Sequence, residues 1–350
     1  MWPRRRAPRS GTTEGSLPRR LIGPTSTPRS WQDYVVMHAS IERHSRTAEG
    51  YLRWWAPVLA PASVRMIDRV GRLDPGLPGG RIRDVIDAGC GTGTATLEAA
   101  RRWPSARLVG LDGAAGMLDV ARREQDRLPG SARSRISYVQ ADAAAIPKPE
   151  ATFDLVMTAF LLQLVPDRPA VLREFHRVLR PDGILAICGW VRETAPFAPE
   201  FELEEALTEM GIVRPPKEVR AGHYRTVRRA ADELREAGFR RVAPRADTLN
   251  HPWSIEDFIS YRTSTRDLDL FESLDEPTRR KTLEALRRRL NVLTPDQLVY
   301  RPHIVSIVAR HDERATRRRS GGDGGAERGR PNGLSTRAVG TMSQTGTAPG

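Results

Sequence analysis

The sequence predicts an α/β protein built on a doubly wound, mostly parallel sheet, and two observations carry that prediction. Between residues 31 and 310, short near-continuous apolar runs alternate with amphipathic stretches of helical period, the pattern of strands covered on both faces by helices. One of those runs ends in Asp87-Ala88-Gly89-Cys90-Gly91-Thr92-Gly93 and leads directly into a helical stretch. A strand, a glycine turn and a helix N-terminus in that order form a common ligand-holding unit of such sheets.

The elements follow in order. Residues 31–80 read as an N-terminal helical cap containing Tyr34, Tyr51, Trp54 and Trp55, ahead of a sheet domain over 81–310. Strands are expected at 84–87, 107–112, 136–141, 153–159 and 183–190. A helix over 168–179 places Val171, Leu172, Phe175, Val178 and Leu179 on one stripe. Pro181-Asp182-Gly183 is expected to stop that helix and turn into the fifth strand. The stretch 192–225 reads as a polar, proline-containing connection. A helix over 226–237 and a strand near 241–248 follow. Helical segments 254–263 and 277–290 form an insertion over about 251–295, before a seventh and last strand at 298–309.

The charge balance looks at first like a nucleic-acid signal, since 56 Lys+Arg against 43 Asp+Glu give +13. Most of it lies at the ends: residues 1–30 carry +6 and residues 312–350 carry +3. Both ends are rich in Gly, Ser, Thr and Pro without apolar periodicity, so disordered tails are expected over 1–30 and 311–350. The first tail has no apolar segment after its arginines and is not a secretory signal. Its arginine-rich, acid-poor composition resembles a transit peptide, but the reading adopted is a disordered extension, or an upstream start with Met37 as the alternative. The only lysines are Lys148, Lys217 and Lys281, which reads as genome composition. The longest apolar run, 155–165, already contains Thr158 and Gln163, and a helical span needs about 20 apolar residues. Two cysteines cannot make a disulfide framework, so a reducing, cytoplasmic setting is expected.

The glycine turn carries the chemistry. Its glycines fall at alternate positions, Gly89, Gly91 and Gly93, whereas a dinucleotide fingerprint would need glycine at position 94, which is Thr94. Two further acids end strands on the same sheet edge. Asp112 follows Leu111, where a carboxylate can accept both hydroxyls of a ribose. Asp142 follows Ala141, where a carboxylate can accept from an exocyclic amine. Each aspartate alone would be read as a helix cap. Three in register, Asp87, Asp112 and Asp142, read as a ligand edge.

On these residues the sequence resembles class I S-adenosylmethionine-dependent methyltransferases, specifically the small-molecule subgroup that includes ubiquinone/menaquinone C-methyltransferases. Residues 85–93 are similar to its first motif. Gly110-Leu111-Asp112 with Met117-Leu118 is similar to its ribose-binding segment, and 141–147 to its adenine-binding segment. Residues 153–167 and 174–183 are similar to its fourth strand and to the turn before its fifth. The resemblance covers about 50–190 and implies a Rossmann-like sheet whose last strand is antiparallel, with S-adenosyl-L-methionine as cofactor. It further implies that Gly89, Gly91 and Gly93 back the methionine moiety, while Asp87 orients its amino group. Asp112 with Gly113 would hold the ribose, Met117 would pack on the purine, and Asp142 with Ala143 would read adenine. Thr158 would offer backbone to the amino-acid end. The chain departs from many relatives after the fourth strand, where Gln163-Leu164 stands in place of a histidine or arginine.

The partner implied is a small-molecule methyl acceptor bound at an O, N or C atom, with cap and insertion closing over the sheet edge. The acceptor itself and the oligomeric state are left open. The alternatives are an RNA or DNA methyltransferase and a non-catalytic S-adenosylmethionine-binding protein. Against the first, Thr158-Ala159-Phe160-Leu161 is not an Asn/Asp-Pro-Pro-aromatic tetrad, and no basic-aromatic module is added. No metal ligand set is read. His251, on the ligand edge with Tyr300 and Arg301, is the candidate for any general base; His176 reads as structural.

Overall fold

The computed structural model describes residues 31–72, 82–192, 197–214 and 222–311, with side chains from His38 onward. The tails expected at 1–30 and, beyond His311, at the C-terminal end lie outside the described residues, as does the side chain of Met37. The cap comprises α1 (Trp31–Arg46), α2 (Ala48–Gly50), a π-helical turn (Tyr51–Trp55) and α3 (Ala56–Gly71). Then come β1 (Asp84–Ala88), α4 (Thr94–Arg102), β2 (Arg107–Asp112), α5 (Ala115–Asp126), α6 (Gly130–Arg133), β3 (Ile136–Gln140) and β4 (Phe153–Ala159). Next are α7 (Arg168–Val178), β5 (Leu179–Trp190), α8 (Ala198–Glu209), α9 (Val227–Glu236), β6 (Arg240–Thr248) and β7 (His251–Pro252). The last stretch holds α10 (Ile255–Tyr261), a second π-helical turn (Arg262–Arg266), α11 (Leu268–Glu272), α12 (Glu276–Leu290), β8 (Val299–Tyr300) and β9 (His303–Arg310).

The main sheet has seven strands in the order β3-β2-β1-β4-β5-β9-β6. Strands β1 to β5 pair in parallel, and β9 runs antiparallel to both β5 and β6. The expected Rossmann-like architecture is therefore the one observed, with the chain reversing direction across the sheet between β1 and β4. Alternation along the strands divides the core into two layers. Val85, Leu155, Met157 and Ile184 join the cap and lid helices on one face. Ile86, Val156, Leu185 and Ile187 join Phe175, Leu234 and Phe239 on the other. Helix starts are set by side-chain caps: Asp167, Thr226, Ser254 and Asp275 each accept from a backbone N–H three residues on. The sheet edge at β6 is exposed and is blunted by Arg240, Arg241, Pro244 and Arg245.

Three local expectations need correction. The helix expected to reach 179 ends at Val178, and Leu179 already pairs with Phe153 in the sheet. Residues 180–183 then form a bulge inside β5, with Asp182 at φ 60°, before pairing resumes at Ile184 with Leu155. The single strand expected at 298–309 divides into β8 and β9 at Arg301-Pro302, because proline has no N–H to donate to a ladder. Within the supposed polar connection 192–225 lies α8, which buries Leu203, Ala206 and Leu207 and packs on α12. The helical cover over the site thus has two parts, α8 and the segment α10–α12.

Candidate active site

The carboxyl ends of β1, β2 and β4 meet the glycine turn and the underside of the cap. Gly89, Gly91 and Gly93 all take left-handed backbone, at φ 73°, 54° and 85°. Two of them are also crowded. A Cβ on Gly89 would stand 2.8 Å from Leu161, and one on Gly93 would stand 2.7 Å from the Tyr138 hydroxyl. The turn is pinned to β2 by the Gly89 and Cys90 N–H groups, which donate to the Leu111 carbonyl at 2.7 and 3.0 Å. Gly91 N–H donates to Asp112 Oδ2 at 2.9 Å.

Asp87 is 1% exposed and accepts from the Thr96 hydroxyl at 2.6 Å. Burial, reinforced by the charge of Asp112, pushes its carboxyl up to about 7. Asp112 also accepts from Ala114 N–H at 2.8 Å, and burial raises its pKa above the usual carboxylate value. Gly113 lies under the cap, where a Cβ would approach Ile41 to 3.2 Å. Met117 is buried with Ala48, Ala114 and Val120, against Ile41, Tyr51 and Leu52. Asp142 closes a tight turn by accepting from Ala144 N–H at 2.9 Å, and Ala143 is buried beside Ile146. Thr158 is fully buried and donates its hydroxyl to the Ala88 carbonyl at 2.8 Å, tying β4 to the end of β1.

A cavity lies between turn and cap. Asp87, Gly89, Cys90 and Thr92 form its floor, Ala159 and Phe160 one wall, and Tyr51, Ala56 and Ser63 its roof. Of the residues expected from sequence, Asp87 and Gly89 line this cavity. Asp112 is tied to the glycine turn through Gly91 N–H, and Met117 belongs to a cluster that includes Tyr51 of the roof, whereas Thr158 precedes Ala159 in β4. Tyr51, Ser63, Thr92 and Phe160 were not singled out as ligand contacts. The cap residues come from a distant stretch of chain, but Thr92 stands inside the glycine motif and was open to notice. Its hydroxyl is buried and has no hydrogen-bond partner among the described residues. A polar group orphaned on a cavity floor fits a ligand with a polar end. The backbone left bare by the three glycines fits close approach of that ligand.

His251 is half-buried in a two-stranded ribbon opposite Tyr300, with its ring 4.7 Å from Trp253, and burial pushes its pKa down. Arg301 is engaged by Asp296 at 2.6 Å. His176 stands away from the site between Phe239 and His311, and burial pushes its pKa down to about 4. Both cysteines are free and buried, which raises their thiol pKa values. Among the described residues no His/Cys/Asp/Glu group has the makings of a metal site, and no helix is long and apolar enough to cross a membrane.

Comparison with known proteins agrees with this geometry. A family model described as a methyltransferase domain matches residues 85–183. Trans-aconitate 2-methyltransferase of Azoarcus sp. (strain BH72) is 41% identical over 103 residues, 29% of this chain and 37% of that protein. Malonyl-[acyl-carrier protein] O-methyltransferase of Halorhodospira halophila (strain DSM 244 / SL1) is 36% identical over 159 residues, 45% of this chain and 48% of that protein. Demethylmenaquinone methyltransferase of Lactobacillus johnsonii (strain CNCM I-12250 / La1 / NCC 533) is 37% identical over 114 residues, 32% and 46% of the two chains. The chain spans less than half the length of these curated relatives. The matched segment begins at the strand before the glycine turn and ends at the bulge of β5, so the similarity to a methyltransferase domain covers residues 85–183.

Proposed function

We propose that this protein transfers the methyl group of S-adenosylmethionine to a small-molecule acceptor. The observation that carries the reading is the left-handed D-x-G-x-G-x-G turn, with Asp87 and Asp112 buried beside it and the Thr92 hydroxyl unpartnered on the cavity floor. S-adenosylmethionine supplies a methyl group already activated by the sulfonium charge, so catalysis asks mainly for positioning and exclusion of water. Gly89, Gly91, Gly93 and Thr92 would back the methionine end, with Asp87 orienting its amino group and Thr158 contributing through the strand it anchors. Asp112 with Gly113 would hold the ribose, Met117 would meet the purine, and Asp142 with Ala143 would read the adenine edge. Tyr51 and Ser63 line the cavity from the cap side, where they would help to exclude water. The free, buried state of Cys90 and Cys188 supports a reducing, cytoplasmic setting. No specific nucleic-acid partner is proposed, because most of the excess charge lies in the two ends of the sequence.

Calorimetric titration with S-adenosylmethionine and S-adenosylhomocysteine tests the reading. Saturable binding of both, with NADH inert, is the expected result. No binding at millimolar S-adenosylhomocysteine, with tight binding of NADH, would overturn it.

A further inference from the structure

The residues proposed to hold the ribose and the purine are already covered. Met117 is 2% exposed, packed with Ala48 of α2 and with Ile41, Tyr51 and Leu52 around it. At Gly113 a Cβ would meet Ile41 at 3.2 Å. His44 of α1 donates from Nδ1 to the Ser40 carbonyl at 2.7 Å. Its ring stands near Asp112 and offsets part of the rise that burial imposes on that carboxyl. The cavity between the glycine turn and the cap measures about 30 Å³, room for a water molecule. Sites that enclose small organic ligands run to about 300–1,000 Å³. The cap, in this position, shuts out the ligand for which the glycine turn is built.

The two parts of the cap are anchored differently. Helix α3 buries Val58, Leu59, Met66, Ile67 and Val70 in the core on one face of the sheet. Over residues 38–50 only Ser40, Thr47 and Ala48 are buried, and much of the hold on the rest of the protein is a seam of polar contacts. Gly116 N–H of α5 donates to Ser45 Oγ at 3.3 Å. A Cβ on Gly116 would stand 2.3 Å from the Ser45 carbonyl oxygen, so the seam closes only over glycine. Glu49 pairs with Arg123 of α5, and Arg46 reaches α11, engaging Asp269 and Glu272 at 2.6 Å each. These ion pairs are exposed, and such pairs hold weakly. Between the two parts lies the π-helical turn Tyr51–Trp55, the kind of irregularity at which helices bend.

We propose that α1–α2 and the ribose–purine half of the cofactor compete for one place. S-adenosylmethionine enters only when α1 and α2 leave α5, turning about Tyr51–Trp55, while α3 stays on the sheet. This rests on the methyl-transfer reading and adds to it a cap that the cofactor displaces. The cofactor then binds a minor open form, and its apparent affinity is lowered by the fraction of molecules in that form. Loosening the seam raises that fraction and tightens binding. Loosening a cap that clasped its ligand would do the reverse.

The test combines amide hydrogen exchange with calorimetry on the full chain. Saturation with S-adenosylhomocysteine should speed exchange over residues 40–50, by roughly fivefold or more, while slowing it in the glycine turn. Gly116→Ala suits a helix but drives the Ser45 carbonyl away, and should bind S-adenosylhomocysteine roughly fivefold more tightly. Arg46→Ala, on the surface and outside α5, should move affinity in the same direction by about twofold. Exchange over 40–50 that slows or stays unchanged on saturation would overturn the proposal while the methyl-transfer reading stood. So would unchanged or weaker binding by Gly116→Ala, or weaker binding by Arg46→Ala. Failure of S-adenosylhomocysteine to bind the parent and both loosened variants would remove the methyl-transfer reading itself.

Discussion

Strand β1 carries an aspartate near each end, and the two are treated in opposite ways. At the amino end, Asp84 is held by Arg107 at 2.7 Å and Arg180 at 2.9 Å. The neighbouring Asp154 is held by Arg180 at 2.7 Å and by the N–H groups of Arg83 and Asp84. At the carboxyl end, three residues on, Asp87 has among the described residues only the Thr96 hydroxyl as a side-chain partner, and a second carboxylate nearby. One end spends its acids on stability, tying β1, β2, β4 and β5 together. The other end keeps them under-neutralised, the state in which a carboxylate can still be offered to a ligand. The same residue type on the same strand does both because the environment, not the side chain, sets the role.

The largest effect that would sharpen this contrast is Asp112→Ala. Charge-assisted hydrogen bonds are worth about 1.5–3 kcal/mol, so affinity for S-adenosylhomocysteine should fall roughly ten- to a hundredfold by calorimetry. Part of that loss would come through Gly91 and Ala114, whose N–H groups lose their acceptor. An unchanged dissociation constant would take Asp112 out of the site.

Asp87→Asn comes next and should have effects of opposite sign. The Asp87 carboxyl sits at about 7 in the folded protein against an ordinary 3.8, so the folded state binds more protons than the unfolded state between those values. Its contribution to stability is therefore present at low pH and lost as pH rises from about 4 to 7. At pH 8 the asparagine variant should melt higher, by roughly 1–2 kcal/mol, while binding S-adenosylhomocysteine about tenfold more weakly. A variant both less stable and equally good at binding would reverse the assignment.

Much of this was legible in the sequence. The strand ends of Asp87, Asp112 and Asp142 and the glycine spacing are local patterns, and β1, β2, β4 and the second half of β5 are near-continuous apolar runs. The cavity roof was not legible, because Tyr51 and Ser63 reach the glycine turn only through tertiary packing of the cap. Helix α8 escaped for a related reason. Its segment is rich in glutamate, and its place depends on distant α12, where Arg289 engages Glu202 at 2.9 Å and Glu205 at 3.4 Å. The bulge in β5 and the break at Pro302 lay within runs whose apolar pattern continues past them.

The amino end should respond in the complementary way. Arg180→Ala should cost about 1–2 kcal/mol by denaturant titration, discounted because the side chain is partly exposed and screened by solvent, with cofactor affinity within twofold of the parent. Arg107→Ala should do least, within about 0.5 kcal/mol, since Arg107 is 77% exposed. A larger loss for Arg107 than for Arg180 would mean that the outer pair, not the bridging one, holds the strands.

The claim that Asp87 is held for the cofactor is tested most directly by its own titration, followed by carboxyl carbon NMR with and without S-adenosylhomocysteine. The account predicts a midpoint at about 7 in the free protein. It also predicts a fall of at least one pH unit on saturation, as the ammonium of the bound amino acid favours the carboxylate. An ordinary midpoint near 4 in the free protein, or a midpoint that does not move when S-adenosylhomocysteine binds, would contradict it.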